Sequence, residues 1–206
     1  MLDEREVRAR ALSSRLRAIT MRLASAGAAG LAAEARNLLC EKEVASCVEL
    51  VTHCAAAGVI GLTAEEVEGL GALTGDPVVT ARLVRLRPVT DQSTAVPVLP
   101  PSRVSTAPKH VLLDRAAVDA CTEVRDAVSL RVAWRAGRTP VRVHLVEFAR
   151  YVTDHDVLVA TRALDEALDV WHVPNRSVES YRPTDVLPRG YRELVARGDE
   201  IWRRRS

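Results

Sequence analysis

The chain has 206 residues, room for one domain or two small ones with a sizeable core. Its 48% hydrophobic and 27% charged residues exclude an intrinsically disordered chain. A net charge of +2 excludes a global field strong enough to hold it on nucleic acid or a membrane surface.

Four cysteines are too few for a disulfide scaffold at this length. No apolar run approaches the roughly 18 residues that span a bilayer. The opening MLDEREVRARALSS has no apolar signal core, so the expected location is cytoplasmic. Aromatic residues make up only 3%, so the core must rest on Leu, Val and Ala. All but two of the 29 basic residues, Lys42 and Lys109, are arginine. Together with the abundance of Ala and Val, this points to a GC-rich genome and makes part of the arginine excess codon usage.

The first predicted element is an amphipathic helix over residues 3–24, with Leu12, Leu16, Ile19 and Leu23 on one face. Arg8, Arg15 and Arg22 form a second stripe, read as a solvated face. SAGAAG at 25–30 breaks the helix. A second helix runs from about Leu31 to Ala57, with a bend near Cys40, and Gly58 closes it as a C-terminal cap. Cys40, Cys47 and Cys54 recur every seven residues beside Val44, Val48 and Val51. Seven helical residues advance about 10 Å, so these thiols share a face but not a metal ion, and they read as small core residues. His53 beside Cys54 is only a weak metal signal.

Thr63 and Glu66 fit the S/T-x-x-E capping box and start a short helix carrying Val67, Leu70 and Leu73. TGDP at 74–77 then makes a tight stop and restart. Gly75 suits a left-handed closing residue, Asp76 an N-cap and Pro77 a first turn. The new helix, 77–87, turns Val79, Leu83 and Leu86 inward. Arg82 and Arg85 lie to one side, and Thr80, Ala81 and Val84 point outward.

From Asp91 to Pro108 the chain is rich in Pro, Ser, Thr and Val without helical period. It is either a linker or two short β segments, AVPVL and KHVLL, around a polar turn, with Pro97 confining the first to an edge. Residues 114–136 read as a helix with Val118, Cys121, Val124, Val128 and Val132 inward and Trp134 near its end. AGRTP breaks it. Residues 141–171 read as a helix pair around TDHD, and 189–205 as a last helix ending in WRRRS, an exposed tail.

GVIGLTAEEVEGLGALTGDPVVTARLVRL resembles the GLTxxE…G…xxRLxxL pattern of the winged helix-turn-helix superfamily. SRVSTAPKHVLL is similar to the basic turn and second strand of a wing. The resemblance covers residues 42–114. It implies a mainly α protein with a small β-hairpin in the middle, arranged as an N-terminal helical segment (1–41), a winged helix-turn-helix domain (42–114) and a helical interaction or dimerisation domain (115–206). It also implies that helix 77–87 is a recognition helix. Thr80, Arg82 and Arg85 would then meet DNA, and Arg103 and Lys109 from the wing would hold phosphates. Two features run against it. The outward face has no Asn or Gln to read adenine, and Glu65, Glu66 and Glu68 precede the recognition helix.

No nucleotide-binding loop, HExxH or CxxC motif is present, and no Ser or Cys pairs recognisably with a His. DHD at 154–156, which His144 or His172 could join, is the one dense set of metal-type ligands; it reads more simply as a turn with Asp156 as N-cap. Trp134, Trp171 and Trp202 read as core anchors. No cofactor, metal or catalytic residue is therefore expected, and the chain reads as non-enzymatic. The expected function is that of a DNA-binding regulator or phage-type accessory protein, with duplex DNA and a protein partner or a second copy as ligands. The alternative is an α-helical structural or adaptor protein of a virion or bacterial assembly.

Overall fold

The structure, a computed structural model, describes residues 4–90, 97–100 and 107–205, with side chains from residue 14 onward. The chain divides into two compact units, residues 1–95 and 96–206.

The first unit is helical: α1 (Glu4–Ser25), α2 (Ala29–Cys40), α3 (Val44–Ala56), α4 (Ala64–Gly71) and α5 (Pro77–Arg85). Three of its reversals are the same device, a Schellman closure in which one residue goes left-handed so that two amides reach back to the helix's last free carbonyls. After α1, Ala28 N donates to Leu23 O at 3.0 Å and Gly27 N to Ala24 O at 3.0 Å. After α3, Val59 N donates to Cys54 O at 2.9 Å and Gly58 N to Ala55 O at 3.1 Å, with Gly58 at φ 73° as its sequence position implies. After α2, Glu43 N donates to Leu38 O at 2.8 Å and Lys42 N to Leu39 O at 3.2 Å.

The third left-handed residue is therefore Lys42, at φ 62°. The bend expected near Cys40 in a single helix over 31–57 is instead a full break: α2 and α3 are separate, and the three cysteines do not share one face. Cys47 and Cys54 are buried on α3 beside Val48 and Val51, whereas Cys40 ends α2 half-buried. Burial pushes the Cys47 thiol up to about 12, which leaves it inert. α1 buries Leu16, Ile19 and Leu23 as expected. Of its second stripe, Arg15 is exposed as expected, Arg22 is buried at 7% exposure, and the side chain of Arg8 lies outside those described.

The second unit overturns the mainly α reading, and the structure as a whole is 53% helix and 17% strand. It comprises β1 (Val98–Leu99), α6 (Pro108–Glu123), β2 (Ala127–Arg135), β3 (Val141–Phe148), α7 (Asp154–Asp169), β4 (Arg176–Tyr181), α8 (Arg189–Arg197) and β5 (Asp199–Arg203). Lys109 to Leu113, expected as the second strand of a wing, are the opening turns of α6. Val98 and Leu99 pair instead with Arg135 and Trp134 of β2. The expected helix at 114–136 ends at Glu123 and continues as a strand. The first half of the expected helix pair at 141–171 is β3, and the expected terminal helix stops at Arg197.

The misreading has a geometric cause. Val124, Val128 and Val132 are four apart, and a spacing of four stays on one face of both a helix and a strand. Parity decides it. Leu130, Val132 and Trp134 alternate with Ser129, Arg131 and Arg135, the period of a strand.

The strands order as β1-β2-β3-β4, with β5 also on β2. β2 and β3 form an antiparallel pair joined by the AGRTP turn. β3 and β4 are parallel, so α7 must cross over one face of the sheet. β5 pairs with Ser129–Val132 and β1 with Trp134–Arg135, so the two share the free edge of β2 end to end. Register shifts on β2, between Ala127 and Ser129 and between Leu130 and Arg131, bend the strand, and the sheet curls into a half-barrel.

α6 and α7 cover one face over a core of Leu113, Ala117, Cys121, Leu130, Val146, Phe148, Val157, Leu164, Leu168 and Val178. On the opposite face, Arg135 is buried and grips Glu179 through two hydrogen bonds of 2.6 and 2.8 Å, while Ser177 donates to the same carboxylate at 3.2 Å. Removing one partner of a buried ion pair strands the other charge. Glu179→Ala is therefore expected to destabilise the protein by about 3–5 kcal/mol. Replacing both partners together (Arg135→Met with Glu179→Leu) should recover most of that loss. The urea midpoint of each variant measures both effects, and an unmoved midpoint in Glu179→Ala would show that the pair carries no stability.

Candidate nucleic-acid interface

The TGDP segment folds as its residues dictate. Asp76 caps α5, its Oδ1 accepting from Val78 N at 2.7 Å and Val79 N at 3.4 Å, and Pro77 occupies the first turn. Thr74 Oγ1 accepts from Asp76 N at 3.1 Å and holds the cap in place. Gly75 is not left-handed, contrary to expectation; the positive-φ glycines among the described residues are Gly27 and Gly58. Upstream, the capping box of α4 is complete: Thr63 N donates to Glu66 Oε2 at 2.9 Å, and Glu66 N to Thr63 Oγ1 at 3.3 Å.

α5 packs on α3 and α4 through Val79 and Leu83, both buried. Beyond it the chain doubles back, and Val89 N donates to Leu62 O at 2.9 Å. This close pass needs a glycine: a Cβ on Gly61 would sit 2.5 Å from a methyl of Val89.

What α5 presents is an open face. Thr80, Ala81, Arg82, Val84 and Arg85 are all exposed, as is Arg87 just beyond. Val84 is 77% exposed and Val78 56%. No acidic residue lies on the helix after its cap, and among the described residues no ion pair is made by Arg82, Arg85 or Arg87. The Thr80 hydroxyl donates to Asp76 O at 2.9 Å and keeps its lone pairs free to accept.

The acids of α4, which would repel phosphate, are largely engaged. Glu65 lies 2.5 Å from an Arg15 nitrogen, and Glu66 lies 2.8 Å from the buried Arg22, an ion pair by distance rather than an aligned hydrogen bond. Glu68 stays exposed.

Of the five residues expected to meet DNA, three lie on one helix. Thr80, Arg82 and Arg85 share α5. Lys109 is exposed in the first turn of α6, in the second unit, and on a helix rather than a wing strand. Arg103 lies outside the described residues.

The second unit holds polar clusters that the helical reading of 114–148 could not show. Asp114 on α6 binds both Nε of Arg142, at 2.9 Å, and Nε2 of His144, at 2.9 Å. The Arg142 guanidinium stacks over Trp134 at 4.9 Å, and His110 meets the same ring edge-on at 5.1 Å. Burial pushes the His144 imidazole below its ordinary value, against the opposing pull of Asp114. Burial alone would raise Asp114, but its hydrogen bonds from His144 and Arg142 prevail and hold it below the usual carboxylate range.

On the other sheet face Ser129, at 2.8 Å, and Tyr181, at 3.1 Å, both donate to Glu147 Oε2. Burial, then the Glu147 charge, pushes the Tyr181 phenol up to about 12. These groups are bound to one another, which makes them fasteners between strands and helix. The signal that would have exposed them is the same strand parity along β2 and β3.

Among the described residues, DHD included, no three His, Cys, Asp or Glu are placed so that they could hold an ion. Thr153, not Asp156, caps α7, accepting from Asp156 N at 3.2 Å, and Asp154 pairs with Arg182 at 2.6 Å. Of the tryptophans, Trp134 is buried, Trp202 partly so, and Trp171 is 45% exposed at the end of α7. Arg203 to Arg205 are exposed, as expected, but Arg204 is tethered: it donates to the carbonyls of Thr122 at 3.1 Å, Val124 at 2.8 Å and Ala127 at 3.0 Å. Among the described residues no helix is long and apolar enough to cross a membrane.

Comparison of the chain with family models, curated proteins and solved structures finds no match.

Asp76→Ala is expected to lower stability by about 1 kcal/mol through loss of the cap, read as a shift in the denaturation midpoint. A second expectation concerns pH. An unfolded histidine takes a proton near 6.5, whereas folded His144 resists it. Its contribution to stability is therefore complete above that value and is lost as pH falls below it. His144→Gln should flatten the stability profile between about pH 7 and 5, the range in which histidine titrates. An unchanged slope would assign the acid sensitivity elsewhere.

Proposed function

We propose that the first unit binds duplex DNA through the exposed face of α5, and that the protein acts as a DNA-binding regulator or accessory factor. The observation that carries this is α5 itself: a capped nine-residue helix, restarted after a tight turn, anchored by two buried residues and offering unpaired arginines with no acid beside them. A helix of this kind has the width and charge to enter a major groove. The engagement of Glu65 and Glu66 by Arg15 and Arg22 weakens the repulsion expected of α4. The wing is no part of the proposal. Arg82 and Arg87 at the margins suit phosphates, and Thr80 and Arg85 suit the groove.

A second reading, a non-enzymatic adaptor or structural protein, draws on one feature: Val170 and Trp171 stand 70% and 45% exposed at the end of α7. Exposed Trp is favoured where one protein meets another.

A gel-shift titration from about 50 to 200 mM salt tests the proposal. Affinity should fall steeply, and each arginine that neutralises a phosphate adds about 0.9 to the log–log slope. Arg82→Ala with Arg87→Ala should reduce that slope and weaken binding to every sequence alike, with unchanged melting because both side chains are exposed. Absence of duplex binding at the low-salt end would overturn the DNA reading and leave the adaptor reading.

A further inference from the structure

The outward face of α5 is defined by what it lacks as much as by what it carries. Reading adenine in the major groove takes an Asn or Gln, and reading cytosine takes an Asp or Glu. Beyond its cap, α5 has none of the four. It carries instead a contiguous patch in which Ala81 has Val84 three residues on and Arg85 four residues on, the spacings that place side chains side by side on a helix. Val78 adjoins the patch three residues before Ala81. Val84, at 77% exposure, and Val78, at 56%, leave most of their surface open. Arg82 is set off from this patch, three residues after the buried Val79, on the flank of the helix.

Resting on the DNA reading above, we infer that this face selects sites rich in thymine and guanine on one strand. The C5-methyl of thymine would pack against Ala81 and Val84, and Arg85 would take the O6 and N7 of a neighbouring guanine. The chemistry is direct. Thymine alone offers a methyl group to the major groove, and an exposed aliphatic side chain is its natural contact. Guanine alone offers two adjacent acceptors, which the guanidinium fork matches. The two exposed valines of α5 become the specificity element.

The test uses the full chain and short random-sequence duplexes. Selection and sequencing should enrich a motif of T and G on one strand. The enriched duplex is then resynthesised with deoxyuridine for thymine, which removes only the methyl, and separately with 7-deazaguanine for guanine, which removes only N7. Each critical methyl lost should weaken binding about fourfold, the worth of one buried carbon group. Val84→Ser should bind the thymine duplex more weakly and lose the difference between thymine and deoxyuridine. Arg85→Ala should likewise lose sensitivity to 7-deazaguanine. Binding that is indifferent to both base analogues overturns this inference and leaves the DNA reading standing. Failure to bind any duplex at low salt overturns both.

Discussion

A guanidinium taken out of water must find an acceptor, and much of this structure follows from that requirement. With aromatic residues at 3%, the chain has few large apolar side chains, and arginine supplies bulk in their place. Arg135 heads the largest fully buried side chains, and Arg17, Arg22, Arg36 and Arg142 are also buried. The resolved partners tie elements together: Arg22 joins α1 to α4, Arg135 joins β2 to β4, and Arg142 joins β3 to α6. Arg176 reaches from β4 to Asp165 and Asp169 of α7. Such pairs add little net stability over an apolar core of the same shape. Where the fork is bidentate, as in Arg135 on Glu179 and Arg142 on Asp114, what it adds is register, because its paired bonds fit one carboxylate geometry. The arginines of α5 stand outside this economy, and that contrast gives them meaning as a surface.

The first unit was largely legible in the sequence, and the second largely was not. Thr63, Asp76 and Pro77 act through their own backbone neighbours, so their roles can be read from a few residues of context. Near Cys40 a bend could be read but not the full break, because the left-handed residue there is Lys42 and no glycine marks it. In the second unit the spacing of Val124, Val128 and Val132 satisfied two periods at once. The deciding residues, Leu130 and Trp134, carried less weight than a continuous valine stripe.

The candidate interface divides the same way. The exposure of Arg82 and Arg85 follows from the helical wheel around Val79 and Leu83 and could be read in advance. The expected wing does not survive, because its second strand is the start of α6, and SRVSTAPKHVLL carries only one local sign of that. Pro108 at the first turn of that helix was the clue, since proline there is pre-set for a helix and unsuited to a central strand. The ion pairs that quiet Glu65 and Glu66 join residues about fifty apart in the chain, beyond any local pattern.

The reach of Arg204 back to α6 has a kinetic consequence. Its bonds to Thr122 and Val124 span 82 and 80 residues, and β5 beside it closes the free edge of β2 over a similar distance. At synthesis rates of about 5–20 residues per second, α6 and β2 leave the ribosome about 4–16 seconds before the segment that seals them. For that interval the nascent half-barrel carries an uncovered strand edge, a template for pairing with a neighbouring chain. Arg131, at the midpoint of β2 and within the stretch that β5 covers, then has a second use: until Glu200 arrives, its unneutralised charge disfavours pairing of that edge with another chain's.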